Sequence, residues 1–316
     1  MALKLGVITC IHGESQIAAK LARKYRKENV DAIILNGDIN SDKRPLQSMV
    51  SVFRAALKAG LPVFATPGSH EPVGDYKKAV KKFRANKNLV DCSSKWGQKF
   101  RGYNLVFFPG SDFVGWKGEH VLVETKKELS RRKRSLHEKG VHAHDHIYIV
   151  MDEIAKLLKP KKTVVISHIP PRFHKPKAID IAIFGTFVKN CKLKKKDAER
   201  LDWGVSEYRK DPEGKRFVFP VWEARRVIRL GYPMKIMKKN RGNAHLAGIL
   251  RKYKITKFIC GHFHESGQQG CDKKGNPIKP GNWSNELFFN AAAAKDGKGG
   301  IYTVDGEKAK FEKVNV

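Results

Sequence analysis

The chain lacks any long hydrophobic run. Of its 316 residues 41% are hydrophobic, yet no apolar stretch approaches the roughly 18 residues that a membrane-spanning helix needs. Residues Met1 to Cys10 are followed by charged sequence rather than by the cleavage pattern of a secretory signal. We therefore expect a cytoplasmic globular protein, long enough to bury a sizeable core.

Cysteine is scarce and scattered. The five cysteines are Cys10, Cys92, Cys191, Cys260 and Cys271. They form neither a CxxC zinc pattern nor a dense disulfide framework, which argues against a zinc-finger fold and a disulfide-stapled secreted fold. Most of them are expected to be buried thiols.

Acidic residues are too few to balance the basic ones. The chain has 31 Asp and Glu against 63 Lys and Arg, a formal net charge of +32. Such a field concentrates polyanions near the surface, and nucleic acid is the predicted partner, with RNA and DNA not separated by charge alone. The alternative is a merely solvated basic surface.

Short apolar runs rich in Val, Ile and Phe predict buried strands. They are Leu3 to Thr9, Asp31 to Asn36, Pro62 to Thr66, Asn104 to Phe108, Thr163 to Ile166 and Lys257 to Cys260. Helical patterns lie at Ser15 to Glu28, Arg44 to Ala59, Tyr76 to Arg84, Asp145 to Leu158 and Asn243 to Tyr253. This alternation predicts an α/β fold with helices outside the sheets.

The C-terminal part has a different pattern. Glu286 to Asn290, Gly300 to Val304 and Lys310 to Val314 are short runs separated by turn residues. Without helical segments between them, they predict a closing antiparallel meander.

Two stretches interrupt the alternation and are predicted to be insertions on a single domain spanning 1–316. Residues 115–160 form a charged, helical insertion, and residues 170–243 form a basic and aromatic one that is far longer than a connection of roughly 2–6 residues. Basic residues interleaved with aromatic ones suit phosphate contact plus base stacking. The predicted substrate-binding basic residues are Lys194, Lys195, Lys196, Arg225 and Arg226. An equally weighted alternative is that the aromatic residues form the insertion's own core.

Five polar motifs stand where apolar runs end. They are Cys10-Ile11-His12, Gly37-Asp38, Gly68-Ser69-His70-Glu71, Ser167-His168 and Gly261-His262-Phe263-His264. Side chains at the carboxyl ends of strands in an α/β sheet point into the crevice where such folds bind ligands. A divalent cation would compensate the desolvation of so many polar groups in one place, so the motifs predict a metal site.

The motif order resembles the calcineurin-like metallophosphoesterase superfamily, whose motifs run DxH, GD, GNH[DE], a lone His and GHxH. The resemblance covers nearly the whole chain apart from the insertions and implies a four-layer α/β/β/α metallophosphoesterase sandwich. It implies one metal pocket of Cys10, His12, Asp38 and His264, and a second of Asp38, Ser69, His168 and His262. Glu265, Ser266 and Asn290 match positions at the edge of that family's site.

The resemblance also implies a mechanism. Two cations polarise the phosphoryl oxygens and activate a water that attacks phosphorus, with Asp38 as the bridging ligand. His70 is the implied catalytic residue, which stabilises the transition state or protonates the leaving group, and Glu71 is its orienting, substrate-side partner.

Two residues depart from the family pattern. Cys10 stands in place of Asp, and a thiolate favours Zn²⁺ or Fe²⁺ over Mg²⁺. Within the superfamily, RNA lariat debranching enzymes also carry Cys here, in a CxHG segment that Cys10 to Gly13 resembles. Ser69 replaces Asn and is a poor ligand, so one or two ions of Mn, Fe or Zn are expected.

The sequence thus predicts a metal-dependent phosphoesterase that hydrolyses phosphodiester bonds in nucleic acid, RNA first. The alternative is a catalytically impaired protein of the same fold that binds RNA or a ribonucleoprotein through its basic face. The exchanges at Cys10 and Ser69 motivate that alternative, whereas retention of Asp38 and four metal-type histidines speaks against it.

Overall fold

A computed structural model describes residues 2–112, 118–138, 146–188, 191–194, 196–197, 207–208 and 219–316. The side chains of residues 134–138, 191–192 and 207–208 are not part of that description. Among the described residues no helix combines the length and the apolar character needed to cross a bilayer.

The first sheet has six strands in the order β20-β19-β1-β2-β3-β4. Strands β1 to β4 run parallel to one another, and β19 joins β1 antiparallel. The bounds are β1 Leu3–Ile8, β2 Ala32–Asn36, β3 Val63–Thr66, β4 Leu89–Asp91, β19 Lys298–Asp305 and β20 Lys308–Asn315.

The second sheet has seven strands in the order β17-β16-β18-β15-β9-β6-β5. Its centre, β18-β15-β9-β6, is parallel. The bounds are β5 Gly97–Phe100, β6 Tyr103–Phe108, β9 Thr163–Ser167, β15 Lys257–Cys260, β16 Gln269–Cys271, β17 Pro277–Ile278 and β18 Leu287–Asn290.

Helices cover the outer face of each sheet. The helices α1 Ser15–Lys27, α2 Pro45–Leu57 and α3 Val73–Lys81 pack on the first sheet, and α5 Met151–Ala155 and α7 Ala244–Lys252 pack on the second. Alternate residues of the strands fill the layer between the sheets, for example Leu5 and Val7 of β1 against Phe107 of β6. The predicted four-layer α/β/β/α architecture is thereby confirmed.

The amphipathic pattern of α1 illustrates how the sequence builds a layer. Ala18, Leu21, Ala22 and Tyr25 recur at helical spacing and are buried. The Tyr25 hydroxyl donates to the carbonyl of Val7 at 2.7 Å, which ties the helix to β1. Gly6 lies under the Tyr25 ring, where a Cβ atom would come within 2.5 Å of it.

The segments predicted to be insertions carry their own small sheets. Strands β7 His120–Val123 and β8 Ile147–Val150 pair in parallel, next to helix α4 Lys126–Glu138. In the second segment, β10 Ile181–Phe187 lies between β13 Phe219–Pro220 and β14 Met234–Asn240, with helix α6 Val221–Arg229 on one face. The two-residue strands β11 Cys191–Lys192 and β12 Glu207–Tyr208 form a separate pair. The insertion boundaries themselves stay predictions.

Two local predictions were wrong. The expected C-terminal meander is only half formed, because β18 lies in the second sheet beside β15 while β19 and β20 pair in the first. The stretch predicted to be helical up to Leu158 begins with strand β8, whose residues pair with β7, and only Met151–Ala155 is helical.

The expectation of buried thiols is confirmed for four cysteines. Cys10, Cys92, Cys260 and Cys271 are free and buried. The side chain of Cys191 lies outside the described part of the chain.

Candidate metal centre

The five polar motifs follow the carboxyl ends of β1, β2, β3, β9 and β15. Backbone hydrogen bonds connect these strand ends directly. His12 N donates to the carbonyl of Asp38 at 2.9 Å, and Gly261 N donates to that of His168 at 3.0 Å. The motifs of the two sheets are joined where His262 N donates to Cys10 Sγ at 3.2 Å.

The centre of this convergence is formed by Cys10, Asp38 and His168. One ligand-type atom from each lies within 4.8 Å of the others, and all three side chains are buried. Thiolate, carboxylate and imidazole together are a donor set suited to Zn²⁺, Fe²⁺ or Mn²⁺.

Asp38 is held on both oxygens. Its Oδ2 lies 3.0 Å from His168 Nε2, and its Oδ1 accepts from Ser69 N at 2.8 Å and from Ser69 Oγ at 2.9 Å. Burial alone would raise the pKa of Asp38, but the positive fields of His168 and His70 outweigh it and hold that pKa well below the ordinary value. The carboxylate is therefore ionised and available to a cation.

His168 is oriented as a metal ligand would be. Its Nδ1 lies 3.0 Å from the carbonyl oxygen of Asn36, which accepts a hydrogen bond from that nitrogen and leaves Nε2 facing Asp38. Burial opposes protonation, yet the negative Asp38 raises the pKa of His168. A proton on Nε2 bonds to Asp38 in this arrangement. His168 and Asp38 are residues that would hold a cation, and its binding would displace that proton.

Three further imidazoles surround this centre. His262 Nδ1 lies 3.2 Å from His168 Nε2, and the ring centroid of His12 lies 5.5 Å from that of His264. Burial lowers the pKa of His12, that of His262 to about 3 and that of His264 to about 4, so all three are neutral near pH 7. Neutral imidazole is the form that binds metals.

His12 has a buried ring nitrogen that a metal ion would satisfy. Its Nε2 is buried and has no hydrogen-bond partner. A buried nitrogen without a partner costs roughly 1–3 kcal/mol. A cation held between His12 and the neighbouring donors would satisfy that nitrogen, so the residues present fit a metal ion.

The backbone of the centre is unusual in the same places. Cys10, His12, Asp38 and His262 all have left-handed φ angles, between 47° and 69°. For non-glycine residues such conformations are uncommon and cost about 1–3 kcal/mol each when strained. Their coincidence at the candidate ligands indicates that the placement of these side chains outweighs the cost to the backbone.

Glycines open the space that the ligands occupy. A Cβ atom on Gly37 would come within 2.5 Å of His168 Nδ1, and one on Gly68 within 2.6 Å of Asp38 Oδ1. These close approaches explain why Gly precedes Asp38 in one motif and Ser69 in the next.

His70 lies at the rim, with 43% of its side chain exposed and Nδ1 3.6 Å from Asp42 Oδ1. The charge of Asp38 raises the pKa of His70 to about 9, with burial opposing and Asp42 assisting. Its ring centroid is 5.4 Å from that of His12, so it borders the centre, and its catalytic role stays a prediction.

Glu71 is placed differently from the prediction. Its side chain is fully buried, and its carboxylate accepts from Gly68 N at 2.6 Å, from Asn40 N at 3.2 Å and from Asp38 N at 3.3 Å. Burial and the nearby Asp38 raise its pKa. The assignment of Glu71 to substrate binding is therefore corrected: it holds the two loops that carry Asp38 and Ser69.

Four of the five predicted basic residues are described, and none of the four belongs to the buried group of Cys10, Asp38 and His168. Lys194 and Lys196 are exposed, as is Arg225 on α6, while Arg226 is half-buried. Lys195 lies outside the described residues. Their role in substrate binding stays a prediction.

Two residues at the centre were not predicted. Asn36 donates from Nδ2 to the carbonyl of Ser167 at 2.9 Å, which links the two sheets beside His168, and Asp42 contacts His70. A buried Asn ending an apolar run was the available signal for the first. Asp42 carried none, because its role depends on the fold of the loop after β2.

A comparison with protein families finds a match that spans the first four of the five motifs. The family model for calcineurin-like phosphoesterases matches residues 3–198, which include Cys10, Asp38, Ser69 and His168. The chain belongs to the calcineurin-like phosphoesterase family. The family chemistry is metal-dependent hydrolysis of phosphoesters, which requires divalent ions. The GHxH motif lies beyond the matched range of this phosphoesterase.

Solved structures support the fold of the phosphoesterase at low sequence identity. One crystal structure matches with 14% identity and a TM-score of 0.57, over 100% of both chains. The protein TT1561 of Thermus thermophilus matches with 13% identity and a TM-score of 0.51, over 100% of this chain and 99% of that one. A more distant match, a dimetal phosphatase from Danio rerio at 10% identity and a TM-score of 0.48, covers 99% of this chain and 98% of its own. A search of curated proteins finds no match.

Proposed function

We propose that this phosphoesterase hydrolyses phosphodiester bonds in nucleic acid, with RNA as the first substrate to test. The observation that carries the proposal is the buried group of Cys10, Asp38 and His168. A buried carboxylate beside a thiol and several imidazoles has no structural use that an apolar core would not serve better.

The family resemblance implies two overlapping donor sets around Asp38, and we propose both: Cys10, His12 and His264 with Asp38, and Ser69, His168 and His262 with Asp38. In support, Cys10, Asp38 and His168 offer ligand atoms within 4.8 Å of one another, and Ser69 contacts Asp38. His262 lies beside His168, and His264 lies beside His12. A bound divalent ion would supply Lewis acidity toward the phosphoryl oxygens and a nucleophilic water at neutral pH.

Ser69 limits the second set. Its hydroxyl and its backbone amide both donate to Asp38 Oδ1. A hydroxyl is also a weaker ligand than an amide oxygen. We therefore propose one firmly held ion, with a second that binds more weakly.

His70 is the proposed proton donor to the leaving group. It is exposed at the rim, unlike the other motif histidines, and Asp42 faces its Nδ1. The opposite nitrogen, Nε2, is then the atom from which a proton can pass to the departing oxygen. Glu71 contributes indirectly, because it fixes the loop that carries His70.

The charge supports a nucleic-acid substrate. The whole chain carries a formal net charge of +32. Part of this charge is concentrated on β14, where Lys235, Lys238 and Lys239 are exposed. Lysines that neutralise phosphates release counterions and strengthen binding at low salt. A small phosphomonoester would leave this surface without a purpose.

A second candidate function is RNA binding without catalysis. Two observations favour it: Ser69 hydrogen bonds to Asp38 in the manner of a structural contact, and burial followed by the charge of Asp38 raises the pKa of the Cys10 thiol. A neutral thiol is a poor ligand unless a metal displaces its proton.

The test is hydrolysis of a generic aryl phosphodiester by the purified protein with Mn²⁺, Fe²⁺ or Zn²⁺ added. Turnover that depends on metal, and is lost in Asp38→Ala protein that remains folded, supports the phosphodiesterase. Absence of turnover with every metal, in folded protein that still binds RNA, selects the non-catalytic function. Linear and branched RNA are then compared to assign the substrate.

A further inference from the structure

The aromatic residues of the second insertion have different environments. Phe219 is buried with Phe187 and Ala224 in the small core under α6. Tyr232 is half-buried, and its hydroxyl donates to Asp197 at 2.6 Å. Trp222, on α6, is 59% exposed. Phe187, Phe219 and Tyr232 thus contribute to the insertion's own core, whereas Trp222 is left in solvent.

Trp222 heads a basic face of α6. Arg225 and Arg229 follow it at spacings of three and seven residues, and both are exposed. Residues at these spacings lie along one side of a helix, and from Trp222 to Arg229 the stripe runs about 10 Å. The opposite side of α6, with Ala224 and Val227, packs on the insertion sheet. This side of α6 thus presents one exposed indole and two guanidinium groups.

The insertion sheet is fastened to the metal centre through β10. Ser266, two residues after His264, donates from its hydroxyl to the carbonyl of Ile179 at 2.7 Å and lies 3.1 Å from that of Ile181. The Ile183 amide hydrogen bonds to the Glu265 carboxylate. The first residues of β10 therefore lie directly beside the loop that carries His264.

Strand β13 brings α6 to the same end of β10. The two strands are antiparallel, with Phe219 opposite Gly185 and Pro220 opposite Phe184. The chain thus approaches Ile183 as it enters α6 at Val221. Trp222 lies at the end of the helix that is nearer to the metal centre, and Arg229 lies at the far end.

We propose that Trp222 is a base-stacking platform for a single-stranded nucleic acid whose scissile phosphate lies at the metal centre, and that Arg225 and Arg229 contact the phosphates that follow. This inference rests on the proposed function and adds a position at which the substrate strand is held. Charge complementarity selects the occupant, since a polyanion with exposed π-faces is what an indole flanked by guanidinium groups binds best. Every base has such a face, so the platform binds without sequence preference.

The chain contains a matched control residue. Trp283 is 46% exposed and has Lys310 Nζ 5.4 Å from its ring centroid, so it too is an indole beside a cation. It precedes β18, however, and β18 runs parallel to β15. Trp283 therefore lies near the amino-terminal ends of the parallel strands, whereas His262 lies at their carboxyl ends. A base stacked on Trp283 would not be next to the metal centre.

The test measures binding of a fluorescein-labelled single-stranded RNA by anisotropy, in protein carrying Asp38→Ala to prevent cleavage. Trp222→Ala should weaken binding by about 5-fold to about 150-fold, the range of stacking one base on an aromatic ring. Trp222→Phe should restore part of the affinity, and Trp283→Ala should leave it unchanged. An RNA with abasic nucleotides next to the scissile position should bind equally to the parent protein and to its Trp222→Ala variant.

Each outcome has a separate meaning. Equal affinity of Trp222→Ala and parent protein for the intact RNA, or an equal loss in Trp283→Ala, would overturn the platform. So would a loss that persists with the abasic RNA, because it would reflect the fold of α6. The proposed function is tested independently by metal-dependent hydrolysis of the aryl phosphodiester in protein with native Asp38, which requires no nucleic acid. Thermal unfolding checks that each variant is folded.

Discussion

The metal centre and the basic face of α6 follow opposite structural rules. At the centre, Asp38 is buried and held by hydrogen bonds. It accepts two from Ser69 and lies 3.0 Å from His168 Nε2. On α6, Trp222, Arg225 and Arg229 are exposed, while the opposite side of the helix, with Ala224 and Val227, packs on the insertion sheet.

The difference reflects the demands of each task. Coordination and proton transfer require atoms placed within tenths of an ångström, which only a packed and hydrogen-bonded surround provides. Attraction of a polyanion acts over roughly 10 Å at moderate salt and tolerates mobile side chains. Changes at the centre should therefore alter chemistry, and changes on the basic surface should alter binding.

The largest effect is expected from Asp38→Ala. Because Asp38 borders both donor sets, its loss should lower metal-dependent phosphodiester turnover by at least about 1000-fold. Nucleic-acid affinity should change by less than about twofold, since distant charges dominate it. Steady-state hydrolysis and anisotropy binding on the same preparation check both parts. A large loss of RNA affinity in folded protein would break the separation of the two regions.

The second-largest effect is a loss of folding stability at acidic pH, caused by a buried histidine outside the centre. Burial lowers the pKa of His120, on β7, to about 4 from 6.5. The folded state therefore binds fewer protons below pH 6.5, and its stability should fall as pH drops from there toward 4. The loss attributable to His120 at about pH 5 is about 2 kcal/mol.

Denaturant unfolding of native protein and of His120→Gln at about pH 8 and about pH 5 measures this loss. The variant should lose about 2 kcal/mol less than native protein between the two conditions. Added metal should not change that difference, because His120 belongs to neither donor set. An identical pH dependence in both proteins would contradict the assignment.

Cys10→Ser is expected to have a smaller effect, on metal affinity. A hydroxyl replaces the soft thiolate, so Zn²⁺ affinity should fall by at least about 10-fold. Cys10→Asp should instead move the preference from Zn²⁺ toward Mn²⁺. Competition titration with a chromophoric chelator gives both results. Unchanged Zn²⁺ affinity in Cys10→Ser would remove Cys10 from the ligand set.

The smallest effect is expected from replacing Lys194, Lys195 and Lys196 together by Gln. RNA affinity at moderate salt should fall by several-fold, and the slope of log affinity against log salt should decrease by about 0.7 for each phosphate that is no longer neutralised. Hydrolysis of the aryl phosphodiester should be unchanged. A salt slope equal to that of native protein would show that these lysines are merely solvated.

Local pattern was sufficient where a strand is buried on both faces. The apolar runs before Cys10, Asp38 and Ser69 predicted β1, β2 and β3 nearly residue for residue, because a continuous Val, Ile and Leu run has few other uses in a short segment. The local pattern did not predict how strands pair when the partners are far apart in the sequence. Nothing local in the run that ends at Asn290 indicates that β18 joins β15 rather than β19.

For the candidate site too, local sequence predicted some features and not others. The motifs named its polar residues because strand ends meet at one edge of a sheet. They could not show that Glu71 points inward to backbone amides, or that His12 Nε2 has no partner, since both depend on loops from different strands meeting.

The sequence by itself determined the α/β class, the five strand-end motifs and the excess of positive charge, because these follow from residue type and spacing. Only the tertiary structure decided which histidines are buried, which oxygen of Asp38 accepts from Ser69, and that Trp222 is exposed while other described aromatic residues of the insertion are buried. Those properties arise from contacts between segments far apart in the chain, whose geometry is set by packing and not by any single stretch of residues.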